Sequence, residues 1–391
     1  MHRLVPLIAA VALCSLACER KPPPSAPPAA ASEQRASTEQ GPIVLGSVGS
    51  LTGSEAYFGT SIRDGIQFAV EEVNAAGGVK GRKVEVRYYD SQGRIEESVA
   101  AAKRLLTQDH VLVLLGEVSS SSSLAIADAA QAARVPMVSP SATHPDVTKK
   151  GDFIFRTCFI DSFQGEVMAR FARENLKLDR VAVLQDSKNA YSLGLTEAFT
   201  SAFTKRGGTV VAVESYAKGD TDYRAPLLAV KKAKPQAVYV PGFYSEVGVI
   251  ARQARELGLS VPLLGGDGWD SDRIFELAGS ALEGSYHSSH YAVDNPAPEL
   301  QRFIAAFRTR YGRTPDAASA LGYDAARVSL AAIERAESLT GPAIRDALAR
   351  TKDFAGASGT LTLDAHRNPV KPAVVLEIHE GQRRFAAAVT P

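Results

Sequence analysis

The chain has 391 residues, 45% of them apolar, which is the length of two domains, or of one large domain with appendages, and enough apolar side chain for a sizeable core. Its 44 basic and 43 acidic residues leave a net charge of +1, and no basic stripe with interleaved aromatics occurs, which argues against a nucleic-acid partner. Of the 3 cysteines, Cys14 and Cys18 lie near the start and Cys158 stands alone in the rest, so that part can make no internal disulfide.

The first segment does not read as fold. Met1-His2-Arg3 is a short positive region, and Leu4 to Ala17 is apolar but too short to span a bilayer comfortably. Residues 1–17 are therefore expected to be a secretory signal, whose loss with Arg3 takes the net charge to zero. Ser15-Leu16-Ala17-Cys18 resembles a bacterial lipobox, with Ser where Leu is usual, and this makes Cys18 the expected lipidation site. Cys14 fits worse because bulky Leu13 precedes it. Plain cleavage near Ala17 with a soluble product is the alternative. Residues 18–41, with Pro22-Pro23-Pro24 and Pro27-Pro28, hold too few apolar side chains to fold and read as an extended tether. A lipid on Cys18 with such a tether would hold a folded part at a membrane but not in it.

Strand-like and helix-like segments then alternate. Ile43-Val44-Leu45 reads as a strand and Thr60 to Ala76 as a helix stopped at Gly77-Gly78. Lys83 to Tyr89 alternates as a strand, and Glu96 to Leu106 is helical. Val111 to Leu115 is an unbroken apolar run, the pattern of a strand covered on both faces. It passes through Gly116 into Ser119 to Ser123 and an Ala-rich helix, Leu124 to Ala133. The serines fall where four backbone N–H groups lack a helical partner, and a helix start rich in hydroxyls suits an anion. Glu117, beside them, reads as a solvated loop charge. Pro136-Met137-Val138 is a short strand, and Cys158, inside Phe153 to Phe159, reads as a buried structural thiol.

The pattern restarts at Asp161. Gly165 to Asn175, Tyr191 to Arg206, Tyr223 to Ala233 and Glu246 to Leu257 read as helices. Val181 to Leu184, Val210 to Val213, Ala237 to Val240 and Leu263-Leu264 read as strands. Residues 298–350 hold three helical segments split near Gly312 and Gly341, and Thr360 to Leu363 and Val374 to Ile378 are late strands. Two runs of β-α repeats imply two doubly wound parallel sheets. Their Gly/Ser/Thr/Asp-rich segments follow strands, where such sheets bind ligands, so a cleft between two lobes is expected.

Motifs for chemistry are missing. No Gly-x-x-x-x-Gly-Lys-Ser/Thr loop, no Gly-x-Gly-x-x-Gly after a strand and no Gly-x-Ser-x-Gly elbow occurs. His287 and His290 come without an acidic or thiol partner in a metal pattern and read as structural residues of a strand or hinge. No metal and no cofactor is expected, and binding is favoured over catalysis.

Several segments carry a specific resemblance. Gly46 to Gly53, Tyr57-Phe58-Gly59, Val73 to Gly81 and Tyr89-Asp90-Ser91 are similar to the opening of the branched-chain amino-acid binding proteins. Gly116 to Ser123, Pro140 to Thr143, Arg156-Thr157, Asp161 to Gly165, Gly265 to Gly268 and Gly322 to Ala325 continue the likeness, over about residues 42 to 380. These are substrate-binding proteins of ABC importers. The resemblance implies an α/β fold of two doubly wound lobes with a three-strand hinge, the type I periplasmic or Venus-flytrap fold. It implies lobe 1 over 42–160 plus 290–368 and lobe 2 over 161–289 plus 369–391. It implies an extracytoplasmic, membrane-anchored lipoprotein, a monomer by family default, with an ABC permease and its ATPases as partners.

The resemblance also implies a site. The ligand's α-carboxylate would meet the hydroxyl of Ser120, with Ser121 as neighbour. The α-ammonium would meet the carbonyl of Ser141, the hydroxyl of Thr143 (with Ala142 between them) and an acid from the second lobe. That acid is Asp267, where Glu is usual. Tyr191 would bond the ligand from the second lobe, Phe58 and Phe243 would wall the side-chain pocket, and Trp269 would add to that wall. An all-carbon wall disfavours polar side chains, since a buried unpartnered polar group costs about 1–3 kcal/mol. An apolar L-α-amino acid, branched-chain or aromatic, is the expected ligand. A membrane-tethered sensor of the same fold, or a site for an aromatic acid or short amide, is the alternative.

Overall fold

The computed structural model describes residues 41–390. The expected signal at 1–17, Cys18 and nearly all of the tether lie outside the described residues.

Five strands form the first sheet: β1 (Ile43–Gly49), β2 (Val84–Asp90), β3 (Val113–Leu115), β4 (Met137–Ser139) and β5 (Ile154–Arg156). Their order is β2-β1-β3-β4-β5, with every pairing parallel. Seven strands form the second: β6 (Arg180–Asp186), β7 (Thr209–Tyr216), β8 (Ala237–Tyr239), β9 (Leu263–Gly265), β10 (Ser285–Ser289), β13 (Ala373–His379) and β14 (Gln382–Val389). β11 (Phe354–Gly356) and β12 (Gly359–Leu361) make a separate hairpin. The second sheet has the order β14-β13-β10-β9-β8-β6-β7. It is parallel from β7 to β10, whereas β13 and β14 close its edge antiparallel.

The helices supply the crossovers that parallel strands require. β3, β4 and β5 are buried along their whole length, as are β8 and β9, in keeping with strands covered on both faces. The chain leaves the first sheet after β5, returns after β10, when helix Ala317–Arg335 packs on helix Ala56–Ala75, and crosses again before β13. These three passages link the two sheets.

Several segments depart from the sequence reading. Helix Ala56–Ala75 starts four residues earlier than expected, because the loop after β1 turns directly into it. Gly59 is required there, since a Cβ would lie 1.9 Å from the Ser50 carbonyl oxygen. β5 and β14 were not expected. β5 is a three-residue core strand inside an aromatic run, and β14, a half-exposed edge, has weak apolar patterning. Cys158 is fully buried, and burial pushes its thiol up to about 12. Among the described residues no helix is long and apolar enough to cross a membrane.

Candidate ligand-binding cleft

The first face of the cleft is built by the loops after β3 and β4. After β3 the backbone turns at Gly116, at φ +136° and with a would-be Cβ 2.3 Å from the Val48 carbonyl oxygen, so no other residue fits. Glu117 then folds the loop. Its carboxylate accepts from the N–H of Val118 at 2.5 Å and of Ser119 at 3.2 Å, while its backbone N–H and carbonyl meet the Ser123 hydroxyl at 3.2 Å. Ser119 caps helix Ser120–Ala133, its hydroxyl accepting from the Ser122 N–H at 3.4 Å. Glu117 is only 1% exposed, which corrects the expectation of a solvated charge. Burial pushes its carboxyl up to about 7, against the hydrogen bonds from Ser91, Ser119 and Val118 and with repulsion from Glu55.

Ser120 opens that helix, and its hydroxyl accepts from the His144 N–H at 3.2 Å. Ser141 donates its hydroxyl to the Val118 carbonyl at 2.9 Å, which ties the second loop to the first. The buried guanidinium of Arg156 braces the same loop, donating to the carbonyls of Ala142 at 2.7 Å and His144 at 2.8 Å. Thr143 is fully buried, and its hydroxyl finds no partner among the described residues.

The second face comes from segments far apart in sequence. The phenol of Tyr191, at the start of helix Ala190–Lys205, donates to Oδ1 of Asp267 at 2.9 Å and accepts from the Gly268 N–H at 3.1 Å. Gly266 permits this approach, since a Cβ there would lie 2.3 Å from the phenol oxygen. Burial, together with the charge of Asp267, pushes the phenol well above its ordinary value, so it stays a donor. Nε2 of His290 meets Oδ2 of Asp267 at 3.0 Å. Gln164 accepts the Asp267 N–H at 2.8 Å and the Ser288 hydroxyl at 2.7 Å on one oxygen.

Between these faces lies a narrow opening lined by Phe58, Val118, Ser120, Ser141, Tyr191, Phe243, Asp267 and Gly268. Phe243 stacks on Tyr191 with ring centroids 5.3 Å apart and meets Phe58 edge-on at 6.0 Å, so the three rings form one aromatic wall. Among the described residues no three metal-capable side chains gather.

Six of the ten expected ligand residues line the opening: Phe58, Ser120, Ser141, Tyr191, Phe243 and Asp267. Thr143 and Ala142 lie behind it, buried. Ser121 instead crosses the cleft, its hydroxyl accepting from the Ala190 N–H at 3.1 Å. Trp269 does not join the wall: it is fully buried, lies over Gly265 and donates Nε1–H to the Val240 carbonyl at 3.0 Å. The missing side chain of Gly265 gives the indole a place in the core. Val118 and Gly268 also line the opening, and the sequence reading had not named them as contacts. Asp161 was not expected as a site residue in its own right. It is fully buried with neither carboxyl oxygen partnered, and burial, reinforced by the charge of Asp267 and offset by that of Arg156, pushes it up to about 8.

The faces also touch directly. Tyr244 donates to the Ser54 carbonyl at 2.8 Å, and Lys218 pairs with Glu55, which is 2% exposed, and reaches the Gly93 carbonyl at 3.3 Å.

Two doubly wound sheets joined by three passages, with a polar and apolar cleft between their carboxyl edges, define a type I periplasmic binding protein. The periplasmic binding protein family model matches residues 42–383, and the chain belongs to this family, in its branched-chain amino-acid binding branch. It is 35% identical to Leu/Ile/Val-binding protein homolog 3 of Brucella melitensis over 84% of this chain and 88% of that protein. It is 33% identical to the leucine-, isoleucine-, valine-, threonine- and alanine-binding protein of Pseudomonas aeruginosa, over 82% and 86%. Among solved structures, the leucine-binding protein LivK of Thermotoga maritima superposes with a TM-score of 0.86 at 38% identity, covering 89% of this chain and 99% of that one. LivJ of Streptococcus pneumoniae, solved with isoleucine, gives 0.85 at 33% identity, covering 90% and 100%.

Proposed function

We propose that this chain is the extracytoplasmic substrate-binding component of an ABC importer and closes around an apolar L-α-amino acid, branched-chain or aromatic. The observation that carries the reading is the Asp267 carboxylate, lining the same cleft as the rings of Phe58, Tyr191 and Phe243. The ligand's carboxylate sits on the Ser120 hydroxyl at the helix start, where the dipole favours an anion. Its ammonium sits between Asp267, the Ser141 carbonyl and the Thr143 hydroxyl. Its side chain lies against the rings. The names of the relatives, which are Leu/Ile/Val-binding and leucine-binding proteins, support the class of ligand. The chemistry we assign to the cleft is binding, in keeping with relatives that are named as binding proteins.

In this reading lobe 1 comprises 42–160 with 290–368, lobe 2 comprises 161–289 with 369–391, and closure brings Asp267 and Tyr191 onto a ligand already seated on lobe 1. Residues 1–17 are the signal, Cys18 carries the lipid, 18–41 is the tether, and the monomer presents both lobes to a permease. A thermal-shift panel on the full chain tests the function, since a ligand of the native state raises the melting midpoint by mass action. Midpoint shifts with leucine, isoleucine, valine or phenylalanine, and not with their des-amino acids, are expected. Shifts only with benzoate, acetamide or urea would overturn it.

A further inference from the structure

Asp267 is gripped at both oxygens. Tyr191 takes Oδ1 from one side, and on the other the imidazole of His290 meets Oδ2 at 3.0 Å. His290 directly follows β10, at the passage where the chain returns to the first sheet. Its ring stacks on Phe159 with centroids 3.8 Å apart and an interplanar angle of 18°. Phe159 lies in another passage, just after β5. The imidazole is thus clamped between two of the three connections, and its side chain is 1% exposed.

We propose that His290 is a positioning residue for the ammonium specificity of the cleft: with Tyr191 it fixes the Asp267 carboxylate so that one lone pair on each oxygen faces the ligand. This rests on the amino-acid reading above and assigns to that reading the device that aims its acid. The short Asp side chain has two torsions, and a carboxylate held at one oxygen could still turn edge-on to the opening. Held at both, it cannot.

The charge state matters as much as the geometry. A carboxylate oxygen accepts, so Nε2 carries the proton and Nδ1 is bare; Nδ1 is buried without a partner, the less demanding arrangement for an acceptor than for a cationic donor. Burial holds His290 below its ordinary value, against the hydrogen bond it donates to Asp267; Lys371 adds to the lowering, while the charges of Asp267 and Asp270 oppose it. The imidazole is therefore neutral. A neutral donor orients Asp267 without cancelling its charge, which is left for the ligand's ammonium. A lysine or arginine in that place would hold the acid as firmly and neutralise it.

The test is calorimetry on the full chain with L-leucine and its des-amino analogue, 4-methylpentanoate. His290→Phe keeps a ring on Phe159 and removes the donor; His290→Gln keeps an N–H donor. We expect His290→Phe to weaken leucine binding about tenfold or more, to narrow the preference for leucine over 4-methylpentanoate, and His290→Gln to recover most of both. His290→Met, apolar and flexible, carries the same comparison if the Phe variant does not fold. Leucine binding within twofold of the parent in a donor-less variant would overturn the proposal. So would an equal loss for both ligands with no recovery in His290→Gln, the signature of a packing role. Failure of the parent itself to bind any α-amino acid would instead overturn the function it rests on.

Discussion

The two faces of the cleft are made in different ways. The face with Ser120 and Ser141 is local: a strand, a glycine, a loop folded by its own Glu117, and a helix start, all within residues 113–144. The face with Asp267 is assembled from residues 164, 191, 267 and 290, brought together only by the second sheet. The first can form as soon as its strands pair. The second requires three passages and four segments in register. In the proposed function, where one lobe seats the anion and the other brings the acid, this division puts the group whose orientation depends on the tertiary structure on the second lobe.

The largest test of this contrast is Asp267→Ala. It removes the one full negative charge we assign to the ammonium and leaves Tyr191 and His290 without their acceptor. Removing one partner of a buried charge pair costs about 2–5 kcal/mol, so calorimetry should show amino-acid affinity falling about thirtyfold or more. Affinity within threefold of the parent would show that the ammonium is held elsewhere.

Glu117 tests the other face through stability. Its folded value of about 7 is raised above the ordinary 4.5, so the folded state favours the protonated acid. That stabilisation is full below about 4.5 and is lost as pH rises through about 7. In Glu117→Gln this part of the dependence should be lost while that of Asp161 remains, so the variant gains on the parent between pH 5 and pH 8 by an amount on the order of 3 kcal/mol or less. Melting curves at the two pH values read the difference. A constant gap would mean that the carboxyl is not buried as an acid.

Ser120→Ala comes next. One hydroxyl is lost while the helix start remains, and a hydrogen bond to a charged group is worth about 1.5–3 kcal/mol. A loss of about tenfold to a hundredfold in affinity is expected, smaller than for Asp267→Ala. A loss as large as that of Asp267→Ala would make the first face the dominant one. The smallest effect belongs to Lys218→Ala, which removes an ion pair across the mouth of the cleft. Such pairs contribute roughly 0.2–1 kcal/mol when one partner is exposed, so affinity should drop by no more than about fivefold, and the drop should shrink as salt is raised.

How legible each face was follows from the same contrast. The serine-rich helix start could be read because apolar runs, a glycine and capping serines are local signals, whereas Ser120 and Ser141 as ligand contacts came through family resemblance. Glu117 could not, since nothing in its neighbours shows that Ser91 and two backbone N–H groups would receive a charge inside the protein. Tyr191, Asp267, Phe58 and Phe243 were reached through family resemblance and not through any pattern in the chain. Trp269 went astray because its direction depends on the vacancy over Gly265, two strands' packing away from anything the sequence spells out. His290 looked structural, and its acid lies 23 residues away.

The sequence by itself determined the alternation of strands and helices, hence parallel sheets, crossover helices and loops gathered at the strands' carboxyl ends, because periodicity and glycine placement act over a few residues. Tertiary structure alone decided which polar groups are buried, which rings face the opening and how the Asp267 carboxylate is turned. Those depend on contacts between segments tens to hundreds of residues apart, where burial and hydrogen-bond satisfaction, not local preference, set the outcome.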